Sequence, residues 1–302
     1  MDLYLITGFL GAGKTSFLKN FIKLFEDKKI YLIVNEFGKE SIDGTILKQY
    51  NSLLSEINNG SIFCACRLDK FEQELSNAKN TNPDIIIVEA SGLSDPTNIC
   101  RIMDDKSFKD INYKGSVCLI DATSFHKVVE TARVVTKQIS VSSFGVINKT
   151  DISNEDEIRN VILKAKEINP SIKLEYTQFG KIDERWISYI VPNTDINSAD
   201  NIKDITLQKA VITLNNDVKK IQLNGLLRSI CEDTYRIKGF VSIEGVQHLI
   251  DCVGAYVKFA PYDGAIENNN KLVVLAGAGM NLRKSLKNAK NMYNNIIKEI
   301  DV

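Results

Sequence analysis

The stretch Gly8-Phe9-Leu10-Gly11-Ala12-Gly13-Lys14-Thr15 satisfies the pattern G-x-x-x-x-G-K-[ST]. It follows the apolar run Leu3–Ile6 and precedes Phe17, Leu18, Phe21, Ile22, Leu24 and Phe25 at helical spacing. This order predicts a strand, a phosphate-binding loop and a helix. Without a Cβ at Gly8, Gly11 and Gly13, backbone amides can converge on phosphate oxygens, and the following helix directs its positive dipole end at the same point. The pattern assigns Lys14 to the β- and γ-phosphates and the Thr15 hydroxyl to Mg²⁺, with Ala12 and Ser16 in the same cradle.

At 302 residues and 44% hydrophobic content, the chain can build a main domain and a smaller second one. Basic and acidic side chains balance at 38 each, so no global field draws the protein to nucleic acid or an anionic membrane. Neither a cleavable leader pattern nor an apolar stretch of membrane-spanning length is evident, which predicts a soluble cytoplasmic protein. Six cysteines in such a chain read as reduced thiols, with Cys100, Cys118, Cys231 and Cys252 among apolar neighbours as core residues.

Short β-type runs at Leu3–Ile6, Tyr31–Val34, Ile85–Val88, Val117–Ile120, Phe144–Ile147 and Ile172–Tyr176 alternate with helical patterns. Alternation of this kind predicts an α/β fold, a mostly parallel sheet flanked by helices. Residues 1–191 form the expected nucleotide-binding domain and the polar, turn-rich residues 192–206 the linker. Residues 207–302 form the expected smaller α+β domain, with strands at Leu207–Leu214 and Arg236–Ile243 and amphipathic helices at Ile221–Ile230 and Leu282–Ile297.

Asn148-Lys149-Thr150-Asp151 follows a strand candidate, where open α/β sheets bind ligands. One carboxylate can accept both guanine edge donors, N1–H and N2–H₂, which adenine lacks, so Asp151 there selects GTP. Asn148 and Lys149 hold the base and brace the loops. In Ile85–Gly92 (IIIVEASG), Glu89 ends an apolar strand where it can couple to the γ-phosphate or to water, and the Gly92 amide can sense that phosphate. Asn35-Glu36-Phe37-Gly38 and Ser41-Ile42-Asp43-Gly44 follow the second strand; γ-phosphate could order such a loop, with Asp43 a candidate Mg²⁺ or water-positioning group. Lys14, Glu89 and Asp43 are thus the candidate catalytic residues.

The ordered set GFLGAGKTS, NEFG…ID, IVEASGLSDP and NKTD, with TYRIKGFV at 234–241, resembles the CobW-type P-loop GTPases, relatives of the nickel-enzyme maturation GTPases UreG and HypB. The resemblance is strongest over residues 3–151 and continues near 207–298. It implies a Mg²⁺-dependent GTPase that couples nucleotide state to metal delivery or metalloenzyme maturation, with a client metalloenzyme as partner and a nucleotide-dependent homodimer.

In that family a glycine is followed by C-x-C-C, the transition-metal site. Here the stretch reads Gly60-Ser61-Ile62-Phe63-Cys64-Ala65-Cys66-Arg67, so two thiols remain and Arg67 stands at the third position when the register is set on them. Cys64 and Cys66 can still hold a soft or borderline cation, Zn²⁺ or Co²⁺, if a carboxylate completes the shell. The resemblance points to Glu36. Two alternatives stand beside this metallochaperone reading: a metal-independent GTP switch gating a client or a corrinoid enzyme, and a small-molecule kinase, which gives no reason for N-K-x-D.

Overall fold

The computed structural model describes residues 1–34, 52–56, 68–193, 207–216, 218–254, 256–264, 269–277 and 279–302. The chain divides into two compact units, one of Met1–Val129 with Arg133–Asn201, the other of Glu130–Ala132 with Ile202–Val302.

The first unit is built on β1 (Asp2–Gly8), β2 (Ile30–Val34), β3 (Ser52–Glu56), β4 (Ile85–Glu89), β5 (Asn112–Asp121), β6 (Phe144–Asn148) and β7 (Lys173–Tyr176). They form one sheet in the order β3-β2-β4-β1-β5-β6-β7, with every neighbouring pair parallel. The expected α/β architecture is therefore present. Parallel pairing explains why β2 and β4 read as unbroken apolar runs, because helical crossovers cover both faces of the sheet.

Alternate side chains feed two cores. Tyr4, Ile6, Leu32, Ile87 and Val146 pack on one face with Phe17, Leu18 and Phe21 of the helix Lys14–Ile22. Leu3, Leu5, Ile33, Ile86 and Val88 pack on the other with Phe71 and Leu75 of the helix Leu68–Thr81. Tyr4 and Phe21 meet edge to face at 5.4 Å, which fixes the helix carrying Lys14 and Thr15 against β1. Fully burying a side chain such as Phe21 stabilises by about 1.5–3 kcal/mol. The helix Glu155–Ile168 begins with a reciprocal capping box, Asn154 accepting from the Glu157 amide and Glu157 from the Asn154 amide, both at 2.9 Å.

The second unit holds β8 (Leu207–Leu214), β9 (Arg236–Ile243), β10 (Val246–Val253), β11 (Tyr256–Pro261), β12 (Lys271–Gly277) and β13 (Ile297–Asp301). They make an antiparallel sheet in the order β11-β10-β9-β12-β8-β13. One face of it packs on Leu223, Leu226, Leu227 and Ile230 of the helix Lys220–Ile230 and on Leu282, Leu286 and Ala289 of the helix Leu282–Met292. That last helix stops short of its expected end at Ile297. Ile296 and Ile297 are buried as the chain turns into β13, which pairs with β8, so Ile296 belongs to the turn and Ile297 to a strand rather than to the helix.

Candidate functional site

The loop between β1 and the helix Lys14–Ile22 emerges at the carboxyl edge of the sheet, where β1 is flanked by β4 and β5. Gly8, Gly11 and Gly13 take φ of 135°, 77° and 93°, a region that L side chains resist. Space adds a second constraint. A Cβ on Gly8 would lie 2.3 Å from the Leu119 carbonyl oxygen, and one on Gly13 2.3 Å from Asn148 Nδ2. Gly13 also caps the helix in a left-handed conformation and has no side chain to occupy the first amides, which stay available to an anion.

Lys14 is 8% exposed, and its Nζ donates to the carbonyl oxygens of Gly8 at 2.9 Å and Phe9 at 3.1 Å. The ammonium thus lies over the mouth of its own loop. Thr15 Oγ1 donates to Glu89 Oε1 at 3.0 Å, and Glu89 is 4% exposed at the end of β4. A hydroxyl paired with a carboxylate beside a lysine is an oxygen-donor set that suits Mg²⁺, and a glycine cradle that a Cβ would fill suits a phosphate chain. These residues fit a Mg²⁺–nucleotide.

Gly92 lies against the same loop, and a Cβ there would come within 2.6 Å of the Leu10 amide nitrogen. Behind it, Gln138 Nε2 donates to the Gly92 and Ser94 carbonyls, each at 3.2 Å, and Lys137 pairs with Asp95. The helix Arg133–Ser140 therefore grips the segment after Glu89 with two consecutive side chains. Neither was foreseen, because a polar side chain on an amphipathic helix carries no local mark of its partner.

Asn148, 3% exposed at the end of β6, joins three segments: its Nδ2 donates to the Ala12 carbonyl at 2.9 Å, and its Oδ1 accepts from the Gly180 amide at 3.2 Å. Lys149 takes φ of 65° and pairs through Nζ with Asp121 Oδ2 at 2.7 Å. Asp121 ends β5, is 6% exposed, and accepts from both the amide and the hydroxyl of Thr123. Its position at a strand end next to β6 was the available signal for a role beside Lys149. Asp151 is exposed on the loop that follows, and Ser16 is exposed on the first turn of the helix.

Burial pushes the Cys118 thiol up to about 12, with the nearby Lys14 charge pulling the other way. Cys118, Cys231 and Cys252 are buried, as expected of core residues, whereas Cys100 is half-buried; none of the four is in a disulfide. Glu36, Asp43, Cys64 and Cys66 lie outside the described residues. Among the described residues no cluster of three or more His, Cys, Asp or Glu side chains could hold a metal, and no helix is long and apolar enough to cross a membrane.

A family model described as CobW/HypB/UreG, nucleotide-binding domain, matches residues 2–175. The zinc chaperone CobW of Sinorhizobium sp is 28% identical over 187 residues, covering 52% of each chain. The zinc chaperone YjiA of Escherichia coli strain K12 is 28% identical over 161 residues, 51% of this chain and 50% of its own. This chain thus spans about half the length of the curated relatives it matches. Among solved structures, the Zn(II)-bound YjiA GTPase from E. coli aligns with a TM-score of 0.49 at 19% identity, covering 97% of this chain and 98% of that one.

Proposed function

The chain belongs to the CobW/HypB/UreG family, and from that membership we propose that it is a cytoplasmic Mg²⁺-dependent GTPase coupling GTP binding and hydrolysis to metal delivery to, or maturation of, a client metalloenzyme. The observation that carries the nucleotide half is the Asn148 side chain, bonded at once to Ala12 of the phosphate loop and to Gly180. It joins the phosphate-binding and base-reading ends of a nucleotide site into one unit.

In this reading the loop amides from Gly8 to Ser16 and the Lys14 ammonium hold the phosphates, and Thr15 binds Mg²⁺. Mg²⁺ supplies charge neutralisation on the β- and γ-phosphate oxygens. Lys14 leaves the Gly8 and Phe9 carbonyls to reach the triphosphate. Glu89 positions the water or couples to the γ-phosphate, the Gly92 amide reports that phosphate to the segment held by Gln138, and Asp151 accepts the guanine edge. Asp43 is the alternative water-positioning group.

The cargo half rests on sequence and relatives. Both relatives described above bear the name zinc chaperone, and Cys64, Cys66 and Glu36 retain two thiolates and a carboxylate suited to Zn²⁺ or Co²⁺. Arg67 at the third cysteine position favours the second reading, a metal-independent GTP switch. Anaerobic Zn²⁺ and Co²⁺ titrations with a non-hydrolysable GTP analogue and with GDP test the choice. Tighter metal binding in the GTP state, lost in a Cys64→Ser/Cys66→Ser variant, supports metal delivery. Affinity equal in the two nucleotide states, or unchanged in the double variant, leaves the switch.

A further inference from the structure

The loop after β7 stands on two feet, both hydrogen-bonded to the segment Asn148-Lys149-Thr150. The Thr177 carbonyl accepts from the Thr150 amide at 3.3 Å and from the Thr150 hydroxyl at 3.0 Å. The Gly180 amide donates to Asn148 Oδ1 at 3.2 Å, and the Gly180 carbonyl accepts from Asn20 Nδ2 at 2.9 Å. Gly180 must be glycine: its φ is 66°, and a Cβ would lie 2.5 Å from the Phe17 amide nitrogen. This end of the loop is therefore pressed onto the first turns of the phosphate-loop helix.

Between the feet, Gln178 and Phe179 are exposed at the tip. Phe179 is 68% exposed and sits at φ of 56°. For a bulky residue that backbone is strained, and a large ring held in water gains nothing from burial. Residues kept against both costs cluster at ligand clamps. The ring belongs to a tip fixed beside Asn148–Asp151, one strand over in the sheet order β6-β7.

We propose that Phe179 is a wall of the nucleobase pocket, its ring stacking on the base whose edge Asp151 reads. The inference rests on the nucleotide reading above and deepens it. A π-face accepts any base, so stacking on Phe179 adds affinity without selecting guanine, whereas Asp151 selects through the edge. The hydrogen-bonded feet fix the backbone that carries the ring before the nucleotide arrives, so less loop freedom is lost on binding.

The test is calorimetric titration of GDP, inosine diphosphate and inorganic triphosphate into the wild-type chain and into Phe179→Ala, Phe179→Gly and Phe179→Trp. Phe179→Ala is expected to weaken GDP and inosine diphosphate alike by about tenfold and to leave base-free triphosphate unchanged. Phe179→Gly relieves the backbone and is expected to lose the same affinity while melting no lower than wild type. Phe179→Trp should keep the affinity and show indole fluorescence quenched by GDP. GDP affinity within about twofold of wild type in Phe179→Ala overturns the proposal, as does an equal loss for inorganic triphosphate, which marks a merely structural loop. If the wild type binds ADP as well as GDP, the guanine assignment fails, and Phe179→Ala scored with ADP still decides the stacking. A wild type that binds no nucleoside diphosphate overturns both.

Discussion

Asn148 Nδ2 lies 2.9 Å from the Ala12 carbonyl oxygen and would lie 2.3 Å from a Cβ on Gly13. The two loops are thus in contact across a gap that only glycine leaves open. Asn148→Ala strands a buried carbonyl and a buried amide, each such group costing about 1–3 kcal/mol. The variant is expected to unfold at clearly lower urea with an unchanged m-value, and to lose much of the stabilisation that saturating GTP gives the wild type. Gly13→Ala should lose that GTP-induced stabilisation altogether. Retention of wild-type stabilisation by Gly13→Ala would detach the Asn148 contact from the nucleotide site.

In the proposed function Asp151 accepts two base donors, and Asp151→Asn would replace that charged acceptor by an amide that offers one acceptor oxygen and a misplaced donor. Guanine nucleotide affinity is expected to fall by about 2–3 kcal/mol. Inosine diphosphate, which lacks one of the two donors, should lose less. Competition of ATP against GTP on the wild type checks the premise, and equal affinities defeat the guanine assignment.

Lys14, Thr15 and Glu89 separate by what each loses. Lys14→Ala should abolish hydrolysis and weaken triphosphate binding. Thr15→Ala should raise the Mg²⁺ concentration needed for half-maximal turnover. Glu89→Gln keeps an acceptor for the Thr15 hydroxyl now found 3.0 Å away, so it should spare GTP affinity and lower single-turnover hydrolysis by about 10²-fold or more. Wild-type hydrolysis in Glu89→Gln moves the role to Asp43.

The Lys149–Asp121 pair is asymmetric, with side-chain exposures of 29% and 5%. Asp121→Asn keeps an acceptor for Thr123 and frees the Lys149 ammonium, whose partial exposure limits the stability loss to about 1 kcal/mol. Its main effect is expected on binding, several-fold weaker GDP with unchanged preference over ADP, if Lys149 holds the base and braces the loop without reading the base edge. A change in base preference instead would assign Lys149 to the edge.

The sequence revealed what local chemistry repeats: Gly8–Thr15 announces itself through glycine spacing, and β2 and β4 through apolar runs that only a doubly covered sheet needs. It hid what depends on distant partners. Ser52–Glu56 is an edge strand with polar ends, and Tyr256–Pro261 and Ile297–Asp301 are edges of the second sheet, where only one neighbouring strand supplies partners. Asp121, Gln138 and Gly180 act through bonds made more than 25 residues away. Nothing within a few residues of Gln138 or Gly180 records those partners, and Asp121 is marked only by its place at the end of an apolar strand.

Cys118 and Cys252 test the compactness of the two units separately. Burial is the chief cause that pushes each thiol up to about 12, with Asp251 adding to the effect at Cys252. An unfolded thiol titrates near about 8.5. Because the folded values lie higher, each thiol's contribution is intact below about pH 8.5 and is lost as pH rises toward 12. In that window the unfolded state binds fewer protons than the folded one, so stability falls by about 1.4 kcal/mol per pH unit for each thiol. Cys118→Ala should flatten the alkaline limb of the first unit's unfolding curve by that slope, and Cys252→Ala the second's. At pH 8, where Cys118 and Cys252 are 2% and 1% exposed, iodoacetamide is expected to leave both unmodified by intact-mass analysis until denaturant is added. Rapid native labelling of Cys118 would mean that β5 opens beside Lys14, and would remove the rigid floor on which the phosphate loop is built.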